Sequence, residues 1–453
     1  MKKLLIIILA AVLFFSGCGA FSFENIKDNL SYLTEELFEN GEAADPSDDG
    51  RSDLDSSGSS YGEDDSISTG DSFGGADDIP GSDAGGASSD MPGDDDGGSQ
   101  TINYDAGLYE NNYYFGQLDD DEKHVYLQLA AGCSEFKNKI NVKSLPSDSF
   151  YKVQCAFYND FPEYFWTGKF EVMLINRKVT AVKYSIPDNI AEISAQLDGI
   201  ANDIISVIPA EASDYDKVKY FYEWIIDNTG YNFGEVDQDI RSVFFNHESV
   251  CAGYSHAFQF LCKKAGIPCA YVYGHTGSND SHAWNLIRIG GAYYWVDVTW
   301  GDPVYLGEQN ENSALNYNYL CVTDREIFET HTIDRTISSI EQSDTEVFSF
   351  PECTDDSYNY YRLTGAYFEV YDRETVKNYI RAKLDAGQYS NIELKFDSHG
   401  QYQAAVNDMF SEDSYLFNIV FDANPEFYGR ASYNYTYDEK TNYICMSIAL
   451  ESE

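Results

Sequence analysis

Residues 250–303 read VCAGYSHAFQFLCKKAGIPCAYVYGHTGSNDSHAWNLIRIGGAYYWVDVTWGDP, and this stretch decides the fold. Tyr254, Phe258, Leu261 and Ala265 recur at the spacing of one helix face. Lys263 and Lys264 suit the negative end of a helix dipole, and Gly266 with Pro268 ends the helix. Cys251 therefore falls in the first turn, where the dipole and the first N–H groups favour an anion. A thiol with an ordinary pKa of about 8.5 should titrate lower there, and lower still beside an imidazolium. The same N–H groups, that of Cys251 included, are suited to stabilise an oxyanion during acyl transfer.

Ser281–Ile289 and Ala292–Trp300 flank Gly290-Gly291, a favoured two-residue hairpin turn. That register sets His282 opposite Thr299 and Trp284 opposite Asp297. His282 and Asp297 become diagonal neighbours on one face, about 7–8 Å apart at the backbone. Ala283, Ile287, Ile289, Tyr294, Val296 and Val298 make an apolar opposite face, expected to be the core side. Asp297 is then expected to hold one imidazole nitrogen while the other faces Cys251, giving a nucleophile, a base and an orienting group. Singly, each has a plainer role: a buried thiol, a structural strand histidine, a turn-capping aspartate. Their joint placement points to chemistry. His256 and His275 are expected to be packing or surface histidines. Trp284, Trp295 and Trp300 either line a cleft or pack in the core, and Asn285 either positions a polar group near the site or serves at the surface or a strand edge.

At these residues the chain resembles the transglutaminase-like superfamily, a branch of the papain-like cysteine enzymes. The resemblance rests on Val250-Cys251-x-Gly253-Tyr254, Ala265-Gly266-Ile267-Pro268, His282-Ala283-Trp284-Asn285, and Asp297-Val298-Thr299-Trp300 followed by Asp302-Pro303. Upstream, Lys217 to Tyr231 resembles the helix that precedes the site in bacterial members; the whole covers residues 209–335, about a quarter of the chain. The resemblance implies an α+β fold, a papain-like/transglutaminase-like core with the nucleophile helix packed on an antiparallel sheet. It carries the family's Cys, His and Asp onto Cys251, His282 and Asp297. It further implies amide-bond chemistry through a thioester, the acyl group passing to water (peptidase or amidase) or to an amine (transamidation) of a protein or peptide. The alternative from another class is a catalytically silent binding or adhesion module. This chemistry requires no cofactor, and no metal-ligand spacing stands out.

Working outward, the 453-residue chain has a formal net charge of −47, unevenly spread. Residues 41–100 hold seventeen Asp and Glu against Arg51 alone. Such a chain is a poor partner for nucleic acid or anionic lipid headgroups. Residues 1–17 resemble a bacterial lipoprotein signal: Lys2 and Lys3, an apolar run from Leu4 to Phe15, then Ser16-Gly17-Cys18, with Phe15 where that pattern usually has Leu. This implies lipidation at Cys18 and an extracytoplasmic protein anchored to the cell membrane. Residues 18–40 form a membrane-proximal segment with a marginal amphipathic helix over 22–39. Residues 41–103 are an acidic Gly/Ser/Asp linker, expected to be disordered, with a root-mean-square reach of roughly 45 Å. Its Asp53-x-Asp55-x-Ser57-Gly58 lacks the flanking helices of a calcium loop and is read as chance.

Residues 104–208 are expected to be mainly helical, with helices over Asp119–Phe136, Phe150–Phe157 and Ile190–Ile208, and a hairpin of Phe170–Ile175 and Val179–Ser185 turning at Asn176-Arg177. The helix Ala212–Thr229 begins the catalytic domain at 209–340. A C-terminal α+β accessory domain at 350–453 should hold helices at Glu374–Ala386 and Tyr402–Phe410 and extended segments at Ile392–Phe396, Leu416–Phe421 and Ile444–Ala449. Of the nine cysteines, Cys133 with Cys155 or Cys262 with Cys269 could pair, though buried thiols are the simpler expectation.

Overall fold

The computed structural model describes residue 109 and residues 111–277, 280–303, 315–335, 347–411, 414–423 and 431–450. The signal segment, Cys18, the 22–39 helix and the acidic linker lie outside the described residues. The first long helix, Asp120–Ser134, opens with a reciprocal cap. Asp119 Oδ1 accepts the Glu122 N–H at 2.8 Å, and Glu122 Oε2 accepts the Asp119 N–H at 3.0 Å. Strand β1 (Lys139–Pro146) follows, and the sequence reading had not foreseen it. Its alternation Lys139-Ile140-Asn141-Val142-Lys143 is short, and its register shifts between Asn141 and Leu145. After the helix Ser147–Asp160, strands β2 (Phe170–Ile175) and β3 (Lys178–Tyr184) form the expected hairpin. Asn176 and Arg177 both take positive φ, as a tight two-residue turn demands. The sheet order is β1-β3-β2, antiparallel throughout.

Helices Ile190–Ser206 and Asp214–Asn228 lead to a short parallel ladder of β4 (Gly230–Tyr231) and β5 (Glu248–Ser249). The helix Cys251–Lys264 begins two residues later. An antiparallel five-stranded sheet comes next, in the order β10-β6-β7-β8-β9. Its strands are β6 (Cys269–Thr276), β7 (Ser281–Ile289), β8 (Ala292–Val296), β9 (Leu320–Val322) and β10 (His331–Ile333). The expected division of β7 into a core face and an open face does not hold. Every residue from His282 to Ile287 is buried. One apolar core runs from Tyr114 to Cys353 and joins residues 114–208 to this sheet. Side chains cross that join: Tyr114 donates its hydroxyl to Tyr271 O at 2.6 Å, and Gln259 Nε2 donates to Asn159 O at 2.6 Å. Residues 114–208 are therefore built into the same apolar core as the Cys251 helix.

Beyond Tyr360, strands β11 (Tyr367–Phe368), β12 (Ile392–Phe396), β13 (Ala431–Asp438) and β14 (Tyr443–Leu450) form a sheet ordered β11-β12-β14-β13. Helices Arg373–Asp385 and His399–Met409 accompany it. A second apolar cluster, including Phe368, Ile380, Leu394 and Met446, belongs to this part. One expectation is corrected: Leu416–Phe421, read as extended, lies in the helix Leu416–Ala423. A short apolar run has no period of its own; here Leu416, Ile419 and Val420 share the buried helical face. Phe348 and Cys353, near the start of the anticipated C-terminal domain, are buried in the first core. Lys395 of β12 is buried, its ammonium donating to Asn318 Oδ1 at 2.9 Å; burial pulls its pKa below that of an ordinary lysine. Cys133, Cys155, Cys262 and Cys269 are unbridged thiols. Among the described residues, no helix is long and apolar enough to cross a membrane.

Candidate active site

Cys251 is the first residue of its helix, with Val250 at the N-cap supplying no side-chain cap. It is wholly buried in a small cluster with Ala252, Tyr271 of β6 and Ala283, the residue after His282 on β7. The helix start is seated by close contacts. A Cβ on Gly253 would come within 2.0 Å of Ser249 Oγ and 2.4 Å of Ser242 Oγ, so only glycine fits there. The Tyr254 hydroxyl reaches Thr229 O at 2.8 Å and Asp302 Oδ2 at 3.0 Å. Asn285 is not a strand-edge residue: it is fully buried, and its Nδ2 donates to Ser255 O at 3.0 Å, tying β7 to the helix. Lys263 and Lys264 close the other end, reaching Glu163 at 2.8 Å and Asp198 at 2.7 Å.

The hairpin register is the one Gly290-Gly291 dictates, with Ile289 opposite Ala292 and Asn285 opposite Val296. The pairing stops at Val296. Asp297 leaves the strand and caps the short helix Val298–Gly301, so Thr299 does not stand opposite His282 as the register alone predicted. An aspartate side chain that can accept a first-turn N–H competes well with one more ladder pair. Asp297 Oδ1 accepts the Trp300 N–H at 3.1 Å, and its backbone N–H donates to Tyr319 O at 2.9 Å. Its Oδ2 meets His282 Nε2 at 2.8 Å. With Nε2 donating to the carboxylate, Nδ1 of His282 is the nitrogen left to act as a base.

A third side chain, absent from the sequence reading, completes this arrangement. His331 Nε2 lies 3.0 Å from the same Asp297 Oδ2. All three side chains are almost wholly out of solvent. Burial pushes the Asp297 carboxyl upward, but the two imidazoles, His282 first, more than offset this and hold it well below the usual carboxylate range. The donor atoms of His282, Asp297 and His331 lie within 4.8 Å of one another, a donor set that could hold a metal ion. An ionised carboxylate only accepts, so each Nε2 facing Oδ2 is assigned as a donor and the carboxylate is satisfied without a metal ion.

The tryptophans divide. Trp284 and Trp295 are fully buried core residues, while Trp300 is partly exposed with its ring centroid 5.8 Å from that of His282. His275 is partly exposed on β6. His256 is a packing residue, stacked on Tyr271 at 3.9 Å with neither ring nitrogen hydrogen-bonded. Burial holds its pKa down to about 4, with the Gln259 side chain only partly opposing. A histidine whose folded pKa is depressed contributes stability above its unfolded value of about 6.5 and loses it as pH falls towards 4. Acidification across that window is expected to cost on the order of 3 kcal/mol from this residue. Melting temperatures of the native protein and His256→Phe, compared from pH 7 to 4, check this: the variant should show the shallower decline.

Comparison with known proteins bears on the same segment. Residues 202–299 match the family model of the transglutaminase-like superfamily. The kyphoscoliosis peptidase of Mus musculus is 30% identical over 118 residues, covering 22% of this chain and 18% of that protein. The Homo sapiens protein of the same name is 28% identical over 118 residues, with the same coverage. The match thus spans less than a fifth of those relatives' length. A solved TGase structure is 14% identical, covers 33% of this chain and 46% of its own, and aligns with a TM-score of 0.21.

Proposed function

We propose, from the transglutaminase-like domain that this chain carries, a cysteine hydrolase or acyltransferase acting on amide bonds, with Cys251 as nucleophile, His282 as base and Asp297 as its orienting group. The observation that carries the reading is the buried 2.8 Å bond from His282 Nε2 to Asp297 Oδ2, on the strand whose next residue, Ala283, packs with Cys251 at the start of its helix. His282 Nδ1 takes the Cys251 proton, and the thiolate forms a C–S bond to the substrate carbonyl carbon. The resulting oxyanion is held by N–H groups of the first helical turn. Collapse breaks the C–N bond, and the departing amine takes the proton from His282. The thioester then passes its acyl group to water or to a second amine, whose proton returns through His282 to the sulfur. The name of the mammalian relatives favours water. The lipoprotein-like segment at 1–18 supports delivery of this chemistry at the cell surface, tethered through Cys18 and acting on protein or peptide.

The test is mass spectrometry of cell-surface polypeptides incubated with the full chain or with Cys251→Ala. New termini that need Cys251 are expected. Amine adducts instead would make the protein a transamidase, and Gln-to-Glu changes a deamidase. No Cys251-dependent product of any kind would leave the silent binding module as the better reading.

A further inference from the structure

We propose that His331 is a positioning residue for this reaction: by donating to Asp297 Oδ2, it fixes the carboxylate from which the His282 base is held. The inference rests on the reading of Cys251, His282 and Asp297 given above and adds a fourth side chain to it.

His331 opens β10, at the edge of the five-stranded sheet, and pairs across to Thr276 of β6. Its side chain is fully buried. The ring is walled by Trp300 at 4.7 Å, Trp284 at 5.0 Å, His282 at 5.3 Å and Tyr319 at 5.9 Å between centroids. Both ring nitrogens are committed: Nε2 to Asp297 Oδ2 at 3.0 Å and Nδ1 to Thr330 Oγ1 at 2.7 Å. A neutral imidazole meets both needs when Nε2–H donates to the carboxylate and Thr330 O–H donates to Nδ1. The carboxylate is held at three points: by the Trp300 N–H on Oδ1 and by two imidazoles on Oδ2. Turning Asp297 away from His282 therefore means breaking bonds to Trp300 and His331 as well. Without His331, a buried carboxylate would keep one donor on Oδ2, with less to fix its plane and less to offset its desolvation.

A packing role for the ring and a donor role for its nitrogen predict different outcomes. His331→Phe keeps an aromatic ring among Trp284, Trp300 and Tyr319 but removes the donor. His331→Gln keeps an N–H within reach. The readout is the rate of iodoacetamide alkylation at Cys251 in the full chain, reduced beforehand, followed by peptide mass spectrometry from pH 4 to 9 beside a melting curve. In the native protein, the alkylation midpoint should lie well below the ordinary thiol range, whatever rate the burial of Cys251 allows. In His331→Phe, alkylation should fall about tenfold near pH 6.5 with its midpoint moved towards 8.5, and His331→Gln should recover most of the loss. Native rate and midpoint in a folded His331→Phe would overturn the proposal, as would equal losses in both variants. If His331→Phe does not fold, the isosteric Thr330→Val, which frees Nδ1 and lets the ring turn, should shift the midpoint the same way by less; no shift there would also overturn it. Native protein whose Cys251 alkylates only as an ordinary thiol would fail the enzymatic reading itself, a result distinct from either.

Discussion

Cys251→Ala is expected to abolish amide-bond chemistry, with kcat/KM lowered by a factor on the order of 10⁴ to 10⁶, while the protein stays folded. The size follows from the mechanism. Without sulfur there is no thioester, and only direct attack by water with help from the oxyanion site remains. The cost to the fold is small, because Cys251 sits in a minor cluster with Ala252, Tyr271 and Ala283, away from the main core. Removing one buried atom there should cost about 1 kcal/mol, or about 2–4 °C in melting temperature. Alkylation gives a substrate-free control. Burial pushes Cys155 up to about 12 and raises Cys133, Cys321 and Cys353 as well, so these thiols stay protonated at neutral pH. After reduction, labelling with a midpoint below the ordinary thiol range should map to the Cys251 peptide and vanish in the variant. Undiminished turnover by folded Cys251→Ala would remove the nucleophile from the scheme.

What could be read from the sequence was what repeats locally. The Cys251 helix announces itself by its apolar period and its Lys-Lys-Ala-Gly ending, and its bounds Cys251–Lys264 differ little from those expected. Gly290-Gly291 fixed the hairpin because both residues take positive φ, 58° and 88°, and the two-residue loop leaves one register. The departures arise where a side chain outbids the backbone pattern or where an element is too short to show a period. Asp297 ends β8 because its carboxylate caps the next helix; no strand pattern carries that choice. His331 lies 34 residues beyond Asp297, on a strand of three residues, and arrives only through antiparallel pairing with β6. The one local signal near it is Thr323-Asp324-Arg325-Glu326, a capping box that marks a helix start eight residues upstream. It gives no hint that the histidine turns inward. Likewise the His282 face of β7 is covered by His331, whose ring lies 5.3 Å from that of His282 and 5.0 Å from that of Trp284, a long-range contact with no trace in the hairpin itself.

Asp297→Asn should lower kcat/KM about 10³- to 10⁴-fold with little change in melting temperature, and the reason lies in proton placement. Asparagine is isosteric, but one of its two polar atoms donates. If Oδ1 keeps the Trp300 N–H, Nδ2 takes the place of Oδ2 and points two protons at His282 Nε2 and His331 Nε2. Both rings can adapt by moving their own protons to Nδ1. His331 can then donate to Thr330 Oγ1, which in turn can donate to Ile327 O at 3.3 Å. The amide and both His331 nitrogens are then satisfied, so the fold survives. The opposite amide orientation sets Nδ2 against the Trp300 N–H, donor facing donor, and loses the helix cap at about 1 kcal/mol. The satisfied arrangement wins. In it, His282 Nδ1 carries a proton and cannot take one from Cys251, and no carboxylate remains to stabilise an imidazolium. Alkylation at Cys251 should consequently move towards the ordinary thiol midpoint near 8.5. Asp297→Ala should differ in kind: it strands the Trp300 N–H and two imidazoles in a dry site and costs about 3 kcal/mol or more of stability. Steady-state rates, the alkylation profile and melting curves of the two variants together separate the roles. An Asp297→Asn protein with native rates and a native alkylation profile would reduce this residue to the helix cap it also is.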